Sequence, residues 1–115
     1  MTITTAYTND LTDPSRGAAT ELLTDEGNTF VGVSGRVDDV HPVLQAELDS
    51  VPKALQPGWH GQCAEISCIN QALHAGVDPA GVQRTVGIGL TAPGHGLPKA
   101  PCTSCAVVLP RFGVR

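Results

Sequence analysis

The chain has 115 residues, a net charge of -4, 41% apolar residues, 13 glycines and 9 prolines. That length and composition bound one globular domain with one modest core and many turns; they do not suggest disorder or a coiled coil, and no apolar run is long enough to span a bilayer. A protein that grips a duplex over a large footprint is usually basic, so the acidic balance leaves room only for a small phosphate footprint.

The first 17 residues, opening MTITTAYTND, are polar and without period, and they read as an extended arm ahead of one domain over 18–115. They lack a basic n-region and an apolar core, so no secretory signal is expected. AATELLT (18–24) and TFVGVSG (29–35) read as two strands joined by the DEGN turn. HPVLQAELDSV, from His41, sets Val43, Leu44 and Leu48 at helical spacing behind Pro42, a residue suited to a first turn. After the loop PKALQPG comes a helix expected from about 61 to 74. Ile66, Ile69 and Leu73 share its face, and Gly76 is placed to end it. VQRTVGIGL (82–90) alternates as a strand, with Val82, Val86, Ile88 and Leu90 on one face. TAPGHGLPKA (91–100) reads as a loop, CTSCAVVL (102–109) as a short helix behind Pro101, and FGV (112–114) as a closing strand. This order predicts an α/β sandwich around a mixed sheet.

Two motifs carry chemistry: HGQCAE (60–65) and PCTSC (101–105). The four cysteines permit two disulfides, but C-x-x-C beside proline is metal-ligand spacing. If both helices begin at their cysteines, their free N–H groups and partial positive charge favour thiolates at one spot. Cys63, Cys102 and Cys105 would then hold one zinc and leave a fourth tetrahedral position open, the catalytic pattern. Glu65 lies two residues past the first ligand. It can reach a water at that position without binding the metal, and so act as a proton shuttle. The competing reading is a closed structural site, with His60 or Cys68 as fourth ligand and Glu65 merely favourable at a helix start.

CAE followed by PCxxC resembles the signature of the cytidine deaminase-like superfamily, in its branch with three cysteine ligands. VGVSG (31–35), HPVL (41–44), HGQCAE, the helix running to HAG (74–76), PCTSC and the terminal FGV are similar to YwqJ-type deaminase domains of bacterial polymorphic toxins, over roughly residues 18–114. The resemblance implies a cytidine deaminase-like three-layer sandwich with a zinc site at two helix N-termini. It implies that Cys63, Cys102 and Cys105 hold Zn2+, that Glu65 activates water for attack on C4 of cytosine and returns protons to N3 and the leaving amine, and that the Ala64 N–H helps position the base. It also implies export within a larger toxin, action in the recipient-cell cytoplasm, no membrane partner and a cognate immunity protein. Free-nucleoside deaminases of the superfamily carry Asn and Glu on the second strand to hold ribose hydroxyls. Here that stretch reads VGVSGR, so cytosine in nucleic acid, single-stranded DNA above all, is the favoured substrate. A small acidic protein has little positive charge to offset opening a duplex.

Trp59 and His60, just before the helix, either wall the base pocket or pack the helix start. Ser34 is a substrate contact or a strand-end hydroxyl. His95 sits in a loop of the kind that shapes access, while His41 and His74 read as surface or capping groups and Cys68 as a buried free thiol. After Glu65 the only acid is Asp78, whereas Arg84, Lys99, Arg111 and Arg115 give that half a mildly basic character and possible phosphate contacts. Tyr7, Phe30, Trp59 and Phe112 are too few for a long stacking platform, though one flipped base needs none. Two rivals stand beside nucleic-acid deamination. One is a deaminase of free nucleosides, nucleotides or another amino-heterocycle; the other is a non-catalytic, zinc-stabilised interaction module.

Overall fold

The computed structural model describes residues 17–88 and 95–115. Its elements run β1 (Ala18–Thr24), β2 (Thr29–Val33), α1 (Pro42–Asp49), a 3-10 turn (Lys53–Leu55), α2 (Ala64–His74), β3 (Gly81–Gly87) and α3 (Thr103–Arg111). The architecture is α/β. The sheet order is β2-β1-β3, with both strand pairs antiparallel.

The β1–β2 hairpin closes over 25–28, where Asn28 N donates to Thr24 Oγ1 at 2.9 Å and Thr24 N to Asn28 O at 2.8 Å. Such a short connection forces antiparallel pairing. The expected mixed sheet is therefore not seen among the named strands. Among the described residues, parallel pairing is confined to isolated bridges, Gly81 with Val114 and Gly87 with His95. The expected closing strand is the first of these bridges: Gln83 N donates to Arg115 O and Arg115 N to Gly81 O, both at 2.8 Å.

Ala18, Thr20, Leu22 and Thr24 alternate along β1 and are all buried on the face that receives α2. Helix α2 was expected to bury one stripe. It is instead buried from Ala64 through Asn70, because the sheet covers one side while α1 and α3 pack near the other. Ile66 and Ile69 fill the centre with Leu22, Leu44, Leu48 and Val108. Each such side chain contributes about 1.5–3 kcal/mol by leaving water.

α1 begins as its sequence predicts. Pro42 occupies the first turn and His41 is the N-cap, its Nδ1 accepting from Val43 N at 3.2 Å. Leu44 and Leu48 face inward, while Val43 is exposed. Asn70, buried on α2, fixes the preceding loop by accepting from His41 N at 2.8 Å and donating to Asp38 O at 3.0 Å.

Helix α2 starts three residues later than the sequence suggests. Gly61 has φ +82, a left-handed conformation outside any helix, so the first helical residue is Ala64 behind the N-cap Cys63. Strand β3 ends at Gly87, and Leu90 lies outside the described residues, as does the arm over 1–16. The end of the 91–100 loop is fastened to β3: Gly87 N donates to Leu97 O and Lys99 N to Thr85 O, both at 2.9 Å. That strap delivers Pro101 and Cys102 to the N-terminal end of α2.

No helix among the described residues is long and apolar enough to cross a membrane.

Candidate metal and catalytic site

Cys63 and Cys102 are the N-cap residues of α2 and α3, both with extended backbone. Neither sulfur caps its own helix. They turn toward each other instead, Sγ to Sγ at 3.1 Å. Cys105 comes from the first turn of α3, and the three Sγ atoms all lie within 4.8 Å of one another. A tetrahedral zinc with Zn–S bonds of ~2.3 Å spaces its sulfurs ~3.8 Å apart, so this triangle fits such an ion. All four cysteines are free thiols.

The thiols are electrostatically unequal. Hydrogen bonding from Cys105 holds Cys63 below the usual thiol range; Cys102 and the Lys99 charge assist, against burial and the Glu65 charge. Cys105 is pushed up, first by its hydrogen bond to Cys63 and then by burial.

Glu65 is 4% exposed. Burial raises its pKa. Its own backbone N–H, the Thr85 hydroxyl and the Lys99 charge pull in the opposite direction. A carboxyl so placed holds a proton more readily than a surface glutamate, which suits a group that must both take and give one.

Cys63, Cys102 and Glu65 share a cavity of about 530 Å³, inside the roughly 300–1,000 Å³ range of small-molecule sites. Cys63, Ala64, Glu65 and Cys102 line it from the two helix ends, and Thr85 from β3. Ser34, Gly35, Trp59 and Lys99 line it as well. Among the described lining residues Glu65 is the only acid and Lys99 the only base.

Of the proposed substrate contacts, Ala64, Trp59 and Ser34 line this cavity and His60 does not. Ala64 opens α2, so its N–H has no partner inside the helix. Trp59 is 59% exposed. Ser34 Oγ accepts from Gly17 N at 2.9 Å and Ala18 N at 3.0 Å, which ties β2 to the start of β1. His60 turns away to meet Leu48 O with Nε2 at 2.9 Å.

Neither alternative fourth ligand reaches the thiols. His60 is engaged with Leu48. Cys68 faces the sheet, its S–H directed at Thr20 O and Phe30 O. Among the described residues the cluster able to hold a metal ion is the three cysteines alone.

Two of the basic residues considered as phosphate contacts are engaged elsewhere, Arg111 with Glu47 at 2.8 Å and Arg115 with Asp25 at 3.1 Å. Arg84 lies on the opposite face of β3 from Thr85. His74 contacts Asp39 O and stacks edge-on with His41 at 5.3 Å. His95 belongs to the strap beside Gly87.

The sequence reading missed Thr85 altogether. Its only sequence signal is a hydroxyl among the strand positions that face α2.

Comparison with known proteins bears on this geometry in one respect. No curated protein and no solved structure gives a match. A family model, described as YwqJ-like deaminase, matches residues 10–114. That span carries both cysteine motifs, the glutamate between them and nearly the whole fold, and the chain belongs to the YwqJ-like deaminase family.

Proposed function

We propose that this domain is a zinc-dependent cytosine deaminase acting on nucleic acid, with single-stranded DNA as the preferred substrate. The observation that carries the reading is the meeting of three thiols at one spot, two of which, Cys63 and Cys102, line the same cavity as the buried Glu65 carboxyl. Cys63, Cys102 and Cys105 are the ligands, and three thiolates favour zinc over harder cations. Zinc there supplies Lewis acidity, which makes water a nucleophile at neutral pH.

The chain's own residues do the rest. Glu65 takes a proton as water adds to C4 of cytosine and gives it to N3; it then takes the remaining proton of the added hydroxyl and gives it to the exocyclic amine. The C4–N bond breaks, ammonia leaves and uracil remains. Glu65 performs both transfers because it sits beside the metal ligands without being one. The Ala64 N–H at the head of α2 orients the base, and Trp59 offers an exposed aromatic face for stacking.

The substrate class follows from charge. With Glu65 committed to proton transfer, no other described cavity residue is an acid that could hold ribose hydroxyls, and Lys99 provides positive charge for a phosphate. A three-layer cytidine deaminase-like sandwich agrees with α2 and α3 meeting at their N-termini beside the sheet. As in the toxin domains that the sequence resembles, we assign the role of an exported bacterial effector. It acts in the recipient-cell cytoplasm and is held in check by a cognate immunity protein.

The test is a side-by-side assay of cytidine, a single-stranded oligonucleotide, a duplex and RNA. Deamination concentrated on the single-stranded DNA is expected. Rapid turnover of cytidine with every polynucleotide untouched would replace this reading with a small-molecule deaminase, and no turnover with a firmly bound metal would leave an interaction module.

A further inference from the structure

The chain between β2 and α1, residues 34–41, forms neither strand nor helix. Two carboxamide side chains bind its backbone instead. Gln62 Oε1 accepts from Val37 N at 3.3 Å, and Gln62 Nε2 donates to Val37 O at 3.2 Å. Asn70 does the same further along, accepting from His41 N at 2.8 Å and donating to Asp38 O at 3.0 Å. A carboxamide donates from one atom and accepts at another, so each replaces a rung of the ladder that this segment lacks. The two clamps differ in place. Gln62 directly precedes Cys63, and its own carbonyl accepts from Gly35 N at 2.8 Å. Gln62, Ser34, Gly35 and Cys63 all line the cavity, whereas Asn70 does not.

We propose that Gln62 is a positioning residue that holds the Ser34–Gly35 wall of the cavity at a fixed separation from Cys63, and so sets how tightly the substrate is gripped. The inference rests on the cavity being the substrate site. Residue 62 is joined to three parts of that site. Its N–H donates to Trp59 O at 2.8 Å, its carbonyl takes Gly35, and its side chain takes Val37. Val37 is 6% exposed and packs in the same core cluster as Cys63. Without the amide, the Val37 N–H and C=O must turn toward water to find partners, and the adjoining wall moves with them. Cys63 has a separate anchor, since its carbonyl accepts from Ser67 N at 3.2 Å at the head of α2. The wall therefore loosens while the thiol triangle stays, which is an effect on binding rather than on the chemical step.

The experiment compares Gln62→Met with Asn70→Leu in the metal-loaded protein. Each change keeps approximate size and removes one clamp. Kinetics are measured on whichever of cytidine and a single-stranded DNA oligonucleotide with one cytosine the wild type turns over. Losing neutral hydrogen bonds predicts a rise in KM of about 3- to 10-fold for Gln62→Met, with kcat within twofold and zinc content unchanged, the signature of lost uniform binding. Asn70→Leu should lower the melting temperature as much or more, yet leave KM within twofold. A readout independent of turnover is the emission of Trp59, the one tryptophan of the chain and a residue of the cavity wall. Titrating the same compound into Glu65→Gln and into Glu65→Gln/Gln62→Met should show the same loss of affinity. Gln62→Ala and Asn70→Ala serve if the larger replacements do not fold.

A folded Gln62→Met with KM and affinity within twofold of wild type would overturn the proposal. An equal rise in KM for Asn70→Leu would do so too, because the amides would then act only through the stability of the segment. A fall in kcat or a loss of zinc at constant KM would move the effect to the thiols. Wild type that neither binds nor deaminates either compound would remove the substrate site itself, and the proposal with it.

Discussion

A Cβ placed on Gly32 would sit 2.6 Å from the carbonyl oxygen of Ala64 and 2.7 Å from the Cβ of Ser67. Strand β2 and the first turn of α2 therefore touch without an intervening side chain. That contact fixes the height at which Cys63, Ala64 and Glu65 stand over the sheet. We predict that Gly32→Ala lowers stability by about 1–3 kcal/mol, the range for overpacking a filled interior, and weakens metal binding as the turn is displaced. Gly58→Ala is the control, since a Cβ there meets nothing within 4 Å. Denaturant unfolding and metal titration of both variants decide it; equal stability for the two would mean that the contact relaxes freely.

Metal analysis of purified protein should find one zinc per chain. Cys63→Ser, Cys102→Ser and Cys105→Ser should each lose most of it, whereas Cys68→Ser should retain it, because that thiol points at Thr20 O and Phe30 O. Chelation should lower the melting temperature of wild type, since an ion bound only by the folded state stabilises that state. Retention of zinc by all three triad variants would sink the assignment.

Glu65→Gln keeps the size of the side chain and removes its ability to exchange a proton. Deamination should fall by about 10²–10⁴-fold, with zinc content intact. Removing a buried ionisable group with raised pKa should leave the fold at least as stable as before, and thermal unfolding checks this. Loss of metal from this variant would show that Glu65 is a ligand instead.

Lys99 supports a phosphate contact by its place on the cavity wall, where its Nζ also donates to Gly17 O at 3.3 Å. Lys99→Ala should raise KM for a single-stranded oligonucleotide while leaving kcat nearly constant. It should also reduce the salt dependence of log KM by about 0.7, the slope expected for one phosphate contact on a single strand. Lys99→Arg should restore both. A change of the same size with free cytidine, which has no phosphate, would contradict the assignment.

Cys68 should be inert. Burial pushes its thiol well above the usual range. A thiol reagent at neutral pH should reach Cys102, the most exposed of the four, before the others, and Cys68 only after unfolding. The sign of the linkage follows. The folded state keeps the Cys68 proton where the unfolded chain would release it, so this contribution is complete below about pH 8.5. It declines as pH rises above that value. The alkaline fall in stability of metal-free wild type should be steeper than that of Cys68→Ala. Identical alkaline slopes would place the effect elsewhere.

The local patterns legible in the sequence were those set by neighbouring residues. Pro42 behind a capping His41 marks the start of α1, alternation along 18–24 marks a strand, and C-A-E with P-C-x-x-C puts the clustered thiols and the glutamate at helix beginnings. These are short-range constraints of backbone geometry and ligand spacing, carried by a few adjacent residues. Tertiary structure decided what depends on distant parts of the chain. Gly61 delays α2 by its left-handed backbone, and α2 buries Ser67 and Asn70 as well as its apolar stripe because it lies between the sheet and the other helices. Cys63 and Cys102 are 39 residues apart, and they meet because the strap from Leu97 to Lys99 is hydrogen-bonded to β3. His60 and Cys68 have suitable chemistry for a fourth ligand, yet the directions of their side chains remove them from the cluster. Thr85 reaches the cavity that Glu65 lines only through the β1–β3 register. Hydrogen bonds between strands set which residues face one another, and no local pattern specifies that pairing.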